Sequence, residues 1–341
     1  MKLRIDGRRN AVATISGAVL LLCSTTLAEA TPPADPGSIW TFQGENDSVS
    51  TTPGGSDKDY TSGLRIGWTS GTDQVPEFAK QIAAAVWGEG VTRISFDVSQ
   101  QIYTPTDTHL VHPDPTDRPV AAYLAGTLSL AQDTDRTRSV LAMSFGMIGP
   151  SALGRVVQNG FHELIRDHLN SGWGAQLPDE PQLELVGERT WRTDAVHLGG
   201  LEGDALPSLT AGVGTVRDYV QTGLILRIGQ YLGSDFGVSR IRPGITGGDA
   251  FTVGPDELPW YFFVGVDGQA VGRDVFLDGD LLRKSAHVER KPLLGEMEVG
   301  IAIIAWHGVR LSYTQTWQTA SFKGQTGGLF NFGSLTGSYH F

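Results

Sequence analysis

Much of the chain alternates, residue by residue, between large apolar side chains and small or polar ones. This is the period of a strand whose two faces meet different surroundings. Between Tyr60 and Trp68, Leu64, Ile66 and Trp68 share one face, and Thr61, Gly63, Arg65 and Gly67 the other. Ile94, Phe96, Val98 and Ile102 alternate with Ser95, Asp97, Ser99 and Gln101. Met297, Val299, Ile301 and Ile303 alternate with Glu296, Glu298, Gly300 and Ala302, and Val309, Leu311, Tyr313 and Trp317 with Arg310, Ser312, Thr314 and Thr316. A soluble sandwich alternates too. Here, however, the second face is mostly Gly, Ser and Thr with a few charges, which suits a narrow lumen. Twelve strands are predicted near 38–47, 59–70, 91–103, 119–130, 138–149, 180–192, 206–217, 221–230, 258–267, 293–306, 308–320 and 329–341. Twelve is an even number, as closed bacterial outer-membrane barrels have.

The final strand ends with Leu335, Tyr339 and Phe341 on one face, a closing aromatic pattern of the kind used in outer-membrane assembly. Phe330 and Phe332 have the opposite parity, which predicts a bulge at Gly333-Ser334. One segment breaks the alternation. Between Ser151 and His168, Leu153, Val156, Val157, Phe161, Leu164 and Ile165 follow the helical period, after a start signal at Pro150-Ser151. The fold class expected is therefore all-β: a twelve-stranded antiparallel transmembrane β-barrel with one helix in an extracellular loop.

The N-terminus sharpens this. Lys2, Arg4, Arg8 and Arg9, an apolar run from Ala11 to Cys23, and Ala28-Glu29-Ala30 read as an export signal over 1–30. The barrel then occupies 31–341. Later in the chain no 18 consecutive residues are apolar, so no spanning helix is expected. Of 341 residues, 44 are Gly and 18% are charged, and the net charge is −11. Removing 1–30 takes away four basic and two acidic groups, leaving −13, together with the only Cys. A nucleic-acid partner and a Cys-based metal site are excluded. Oligomeric state is not legible.

The unusual polar clusters fall at one end. With an inward-facing N-terminus, Glu45-Asn46-Asp47, Asp59-Tyr60-Thr61, Gln100–Pro105, Asp117-Arg118-Pro119 and the helix with Gln158 and His162 all reach the extracellular rim. Strand parity places Glu45, Asp47 and Thr61 on inward faces. Asp47, with Glu45 and Asn46, offers the hard oxygen donors that Ca²⁺ prefers. Gln158 lies one turn before His162 on the same helix face. A His beside a bound cation can act as general base on water while the cation stabilises an oxyanion, which is ester hydrolysis without a serine nucleophile.

Taken together and in order, these stretches resemble the outer-membrane lipid A 3-O-deacylases (LpxR-type). The residues carrying the resemblance are Glu45-Asn46-Asp47, Asp59–Leu64, Gln101–Pro105, Asp117-Arg118-Pro119, Gly146–Gly154 continuing through Gln158 to His162, and Trp173 with Gln176. The resemblance implies a twelve-stranded barrel and calcium-dependent removal of an ester-linked acyl chain from lipid A of lipopolysaccharide in the outer leaflet. It implies His162 as the base on water, Asn46 and Asp47 near the metal, and Thr61 and Gln158 in the catalytic set. The loop 106–116 holds no Lys, where some members carry a basic residue. Two other readings stand beside it: an outer-membrane phospholipase, which requires a serine nucleophile, and a porin-like barrel without activity.

Overall fold

The computed structural model describes residues 30–50, 58–241, 249–252, 254, 257–305 and 308–341. The expected export signal lies outside them except for Ala30.

The strands are β1 (Ile39–Asn46), β2 (Asp59–Thr69), β3 (Val91–Thr104), β4 (Ala121–Asp133), β5 (Thr137–Ile148), β6 (Glu180–Trp191), β7 (Val196–Leu198), β8 (Leu201–Gly214), β9 (Arg217–Gln230), β10 (Trp260–Asp274), β11 (Leu293–Ala305), β12 (Val309–Gln318) and β13 (Phe330–His340). Each pairs antiparallel with its chain neighbour, and β1 pairs with β13 to close the ring. The three-residue β7 touches only the start of β8, and the wall passes directly from β6 to β8. Twelve strands thus form a closed barrel, as the alternation predicts. The largest boundary error is in β10, which runs on to Asp274 where the sequence pattern suggested 267.

Ile39 pairs with His340, so both ends of the barrel sequence lie at one rim, here the terminal rim. At that rim Asp35 accepts from His340 Nε2 at 3.0 Å and pairs with Arg93 at 2.5 Å. Burial opposes its charge, but the His340 bond and the Arg93 charge together hold the Asp35 carboxyl below the ordinary value.

Alternation resolves into two unlike faces. Trp40, Phe42, Leu64, Ile66, Phe96, Leu128, Phe262 and Leu335 point outward and are exposed, a lipid-facing band. No helix among the described residues is long and apolar enough to cross a membrane. The inward face holds far more charge than Gly, Ser and Thr alone would bring. The described parts of the segment between β9 and β10, residues 231–241 and 249–252, start from the terminal rim and lie inside the lumen. Arg65 pairs with Asp97 at 2.9 Å and grips Asp249 of that segment through both nitrogens, at 2.8 and 2.9 Å. Arg240 of the segment meets Asp267 at 2.7 Å and Glu298 at 2.9 Å. Arg227 and Arg310 converge on its Asp235 at 2.7 and 2.8 Å. Buried charges persist only when paired in this way. The segment reaches far: Gln43 donates to Ser239 O at 3.1 Å, and Ile241 N donates to Glu45 Oε1 at 3.2 Å, one residue from the end of β1.

At the opposite, distal rim the lumen is capped by aromatic rings. Tyr103 stacks on Phe276 at 4.0 Å, and Tyr60 meets Phe332 edge-on at 5.2 Å. Here the expected bulge at Gly333-Ser334 is absent. The register of β13 on β12 runs without a shift from Phe330–Gln318 to Tyr339–Val309. Phe330 and Phe332 face inward because this aromatic cluster buries them, not because the strand changes face. The bulge lies in β2 instead, between Tyr60 and Ser62.

Candidate active site

The helix Gly154–Ile165 follows a 3-10 turn at Pro150–Ala152, so it begins three residues later than the Pro150-Ser151 signal suggests. Ser151 instead anchors the approach, donating from its N and Oγ to Asp179, both at 2.8 Å. Leu153 and Arg166, at the two ends of the helix, are both left-handed with φ of 61°. Such conformations are costly for non-glycine residues and persist only where the surroundings fix them.

The helix lies against the outside of the barrel, over β3 and β4. Gln100 Nε2 donates to Ala152 O at 2.6 Å, and Ile102, Val120, Ala122, Ala152 and Trp173 pack together beneath it. A Cβ on Gly154 would fall 2.4 Å from Ala122 Cβ and 2.5 Å from the Trp173 ring, so only glycine permits this approach. The face turned to the wall is the row Gly154, Gln158 and His162, all buried. The apolar period that identified the helix points the other way: Val156, Phe161, Leu164 and Ile165 are at least half exposed. In water this would be inside out. In lipid it is the stable orientation.

The buried row is tightly held. Gln158 Oε1 accepts from Trp173 Nε1 at 3.0 Å and from Asn170 Nδ2 at 3.1 Å. Asn159 and the backbone of Asn170 exchange two bonds of 3.0 and 3.2 Å. These contacts fold residues 168–173 back along the helix and bring the His168 carbonyl to His162 Nδ1. A carbonyl only accepts, so in this contact Nδ1 carries the proton. The His168 ring stacks on His109 of the β3–β4 connection with centroids 3.5 Å apart.

The other expected residues lie along the neighbouring strands. Thr61 was expected to face inward. The β2 bulge breaks the parity, and its hydroxyl instead meets that of Thr104 at 2.5 Å. Asn46 pairs with Ser62 on the outward face, and its Oδ1 accepts from Ser48 N at 2.7 Å, capping the turn Asp47–Val49. Asp47 was also expected inward with Glu45, but the strand ends at Asn46, so parity does not reach it. Its buried carboxylate accepts from Lys58 N at 3.0 Å, beside the start of β2. Glu45 is in the lumen, bound by Tyr60 Oη at 2.7 Å and Gln43 Nε2 at 3.0 Å, and stands apart from the outer group. Asn46, Thr61, Gln158 and His162 therefore share one outer sector of the distal rim, over β1–β4. Sequence reasoning missed the supporting residues His168, Asn170, His109 and Asp179. Their types carry no periodic signal, and only the fold-back beyond the helix gives them a role.

Among the described residues no three His, Cys, Asp or Glu side chains gather as a metal site. The described oxygen donors in this sector include the Asp47 carboxylate and the Asn46 amide, with the Asp59 carboxylate at the start of β2 turned to Arg118 at 3.5 Å. That set lacks the nitrogen and sulfur ligands of transition metals and fits a hard cation that fills its shell with water.

A closed antiparallel barrel with an apolar outer band and a polar, ion-paired interior is an outer-membrane β-barrel. The sequence profile of the family described as Outer membrane protein LpxR matches residues 15–341, and the chain belongs to that family. Its fold is similar to that of LpxR from Salmonella typhimurium, with a TM-score of 0.71 and 21% identity over 89% of this chain and 100% of that one. The β domain of the Bordetella autotransporter BrkA aligns with a TM-score of 0.43 and 11% identity, over 91% of this chain and 100% of that one. No curated protein matches the chain.

Proposed function

We propose that the protein is a lipid A deacylase that removes a 3-O-linked acyl chain in the outer leaflet, with His162 as general base on water. The observation that carries this is the placement of His162. It is buried on the lipid-facing side of the barrel wall, with Nδ1 committed to the His168 carbonyl. Membership of the LpxR family and the outward apolar face of the rim helix support a lipid substrate. With the distal rim outside the cell, that face reaches the acyl layer of the outer leaflet.

In this reading His162 Nε2 takes a proton from water as the oxygen attacks the ester carbonyl. The proton then passes to the leaving sugar oxygen as the acyl bond breaks, giving a free fatty acid and a hydroxyl. Asp47 and Asn46 would hold Ca²⁺, which supplies positive charge for a carbonyl oxygen that becomes an oxyanion. Thr61 and Thr104 line the adjacent seam, and Gln158 keeps the 168–173 return in place. A serine-based phospholipase is less well supported. The Ser151 hydroxyl is bound to Asp179, and its role is to anchor the helix.

The test is mass spectrometry of lipid A from cells expressing the protein, with and without a calcium chelator, alongside Asp47→Asn. The expected result is loss of one acyl chain, abolished by chelation, and a calcium midpoint shifted upward in Asp47→Asn. Unmodified lipid A at saturating calcium would overturn the reading.

A further inference from the structure

Below Asn46 the outer wall carries a trough of ≈ 830 Å³, lined almost wholly by apolar groups. Its upper row follows strand pairing across four strands: Gly44 beside Leu64, Leu64 beside Gln100, and Gln100 beside Leu124. Gln100 is the residue that ties the rim helix to the wall. Asn46 lies two residues further up β1, about 7 Å along the strand. The trough therefore opens directly beneath the outer group and runs toward the middle of the membrane.

Two glycines form its floor, Gly44 on β1 and Gly337 on β13, between the taller Phe42, Leu64 and Leu335. Nothing in the fold demands glycine at either position. Neither has a positive φ. A Cβ on Gly44 would meet only Leu64 Cδ2, at 3.9 Å, and one on Gly337 only Leu311 Cδ2, at 3.6 Å, both ordinary contacts. Glycine weakens a strand and offers no apolar side chain to lipid. What it supplies here is space.

We propose that this trough is the binding site for the acyl chain that is cleaved, and that Gly44 and Gly337 set how that chain seats. The proposal rests on the deacylase reading above and extends it to the substrate's apolar half. An ester held at the outer group has its sugar toward the rim and its chain toward the membrane interior. The trough offers that chain a fixed path along the wall in place of the mobile lipid around it. A chain ordered in this way brings its carbonyl to His162 in one orientation.

The test compares Gly44→Leu, Gly337→Leu and, as a control, Gly268→Leu, which adds the same side chain to an open outward position on β10. Each variant is assembled in vesicles, checked by heat-dependent gel mobility, and assayed on lipid A and on a short-chain water-soluble ester. The trough variants should cleave lipid A at least about tenfold more slowly, with the released chains shifted toward shorter lengths. Their rate on the short ester should stay within about twofold of wild type, and Gly268→Leu should behave as wild type throughout. Wild-type rates and chain lengths in both trough variants would overturn the proposal and leave the deacylase reading intact. Equal losses on both substrates would also overturn it, since the site itself would then be damaged. If one trough variant fails to assemble, the other decides. A wild-type protein that cleaves neither substrate would remove the deacylase reading and this proposal with it.

Discussion

The lumen and the outer wall beneath the rim helix are both rich in polar side chains, yet they are built on opposite principles. In the lumen, charge meets charge: Arg65, Arg227, Arg240 and Arg310 each hold carboxylates at 3 Å or less, and these pairs fix residues 231–241 and Asp249 of the inserted segment. On the outer wall the buried polar row is nearly uncharged. Gln158, Asn159 and Asn170 bond to one another and to backbone, and they aim a single imidazole. Ion pairs that are already satisfied have little left to give a substrate. The imidazole is instead positioned through Nδ1 by the His168 carbonyl. The density of charge therefore marks structure in this barrel.

Three substitutions sharpen that contrast, from the largest expected effect on activity to the smallest. His162→Ala should reduce deacylation by about 10²- to 10⁴-fold, the usual share of a general base. Heat-dependent gel mobility should be unchanged, because the lumen pairs are untouched. Gly154→Val should lower activity by roughly 10²-fold, since a displacement of about 1 Å at the reacting groups costs that much. The added side chain cannot fit against Ala122 and Trp173, so the helix must lift, and protease cleavage of the 149–179 connection should rise in parallel. Asp249→Asn should leave activity within about twofold of wild type but weaken the hold on the lumen segment. Removing one partner of a buried pair costs about 3–5 kcal/mol. Planar-bilayer recording should then show conductance steps absent from the wild type. Loss of activity without any conductance would contradict the division drawn here.

The barrel was legible because period-two alternation survives wherever one face meets lipid. It was clear in β2, β3, β11 and β12, and the count of twelve wall strands followed. The sequence pattern put Asn46, Thr61, Gln158 and His162 at one rim, but it did not give their orientation. Parity placed Thr61 inward, and a one-residue bulge turned it out. The apolar period of the rim helix located it but left its docking face open, and the structure turns that apolar side away from the wall. Phe330 and Phe332 suggested a bulge in β13, where an aromatic cap on the lumen was the cause. The lumen segment was not legible at all. Its Gly, Pro and Asp residues read as loop, and its ion pairs join residues as far apart as Arg65 and Asp249.

The inserted segment has a consequence for the cell as well as for the fold. A ring of twelve strands left hollow is a leak, and every copy would admit small solutes and let ions run down their gradients. With residues 231–241 and Asp249 held in its bore and Tyr103 stacked on Phe276 at the distal rim, each copy carries its own obstruction to that flow. Its abundance can then rise at less cost to the permeability barrier around it.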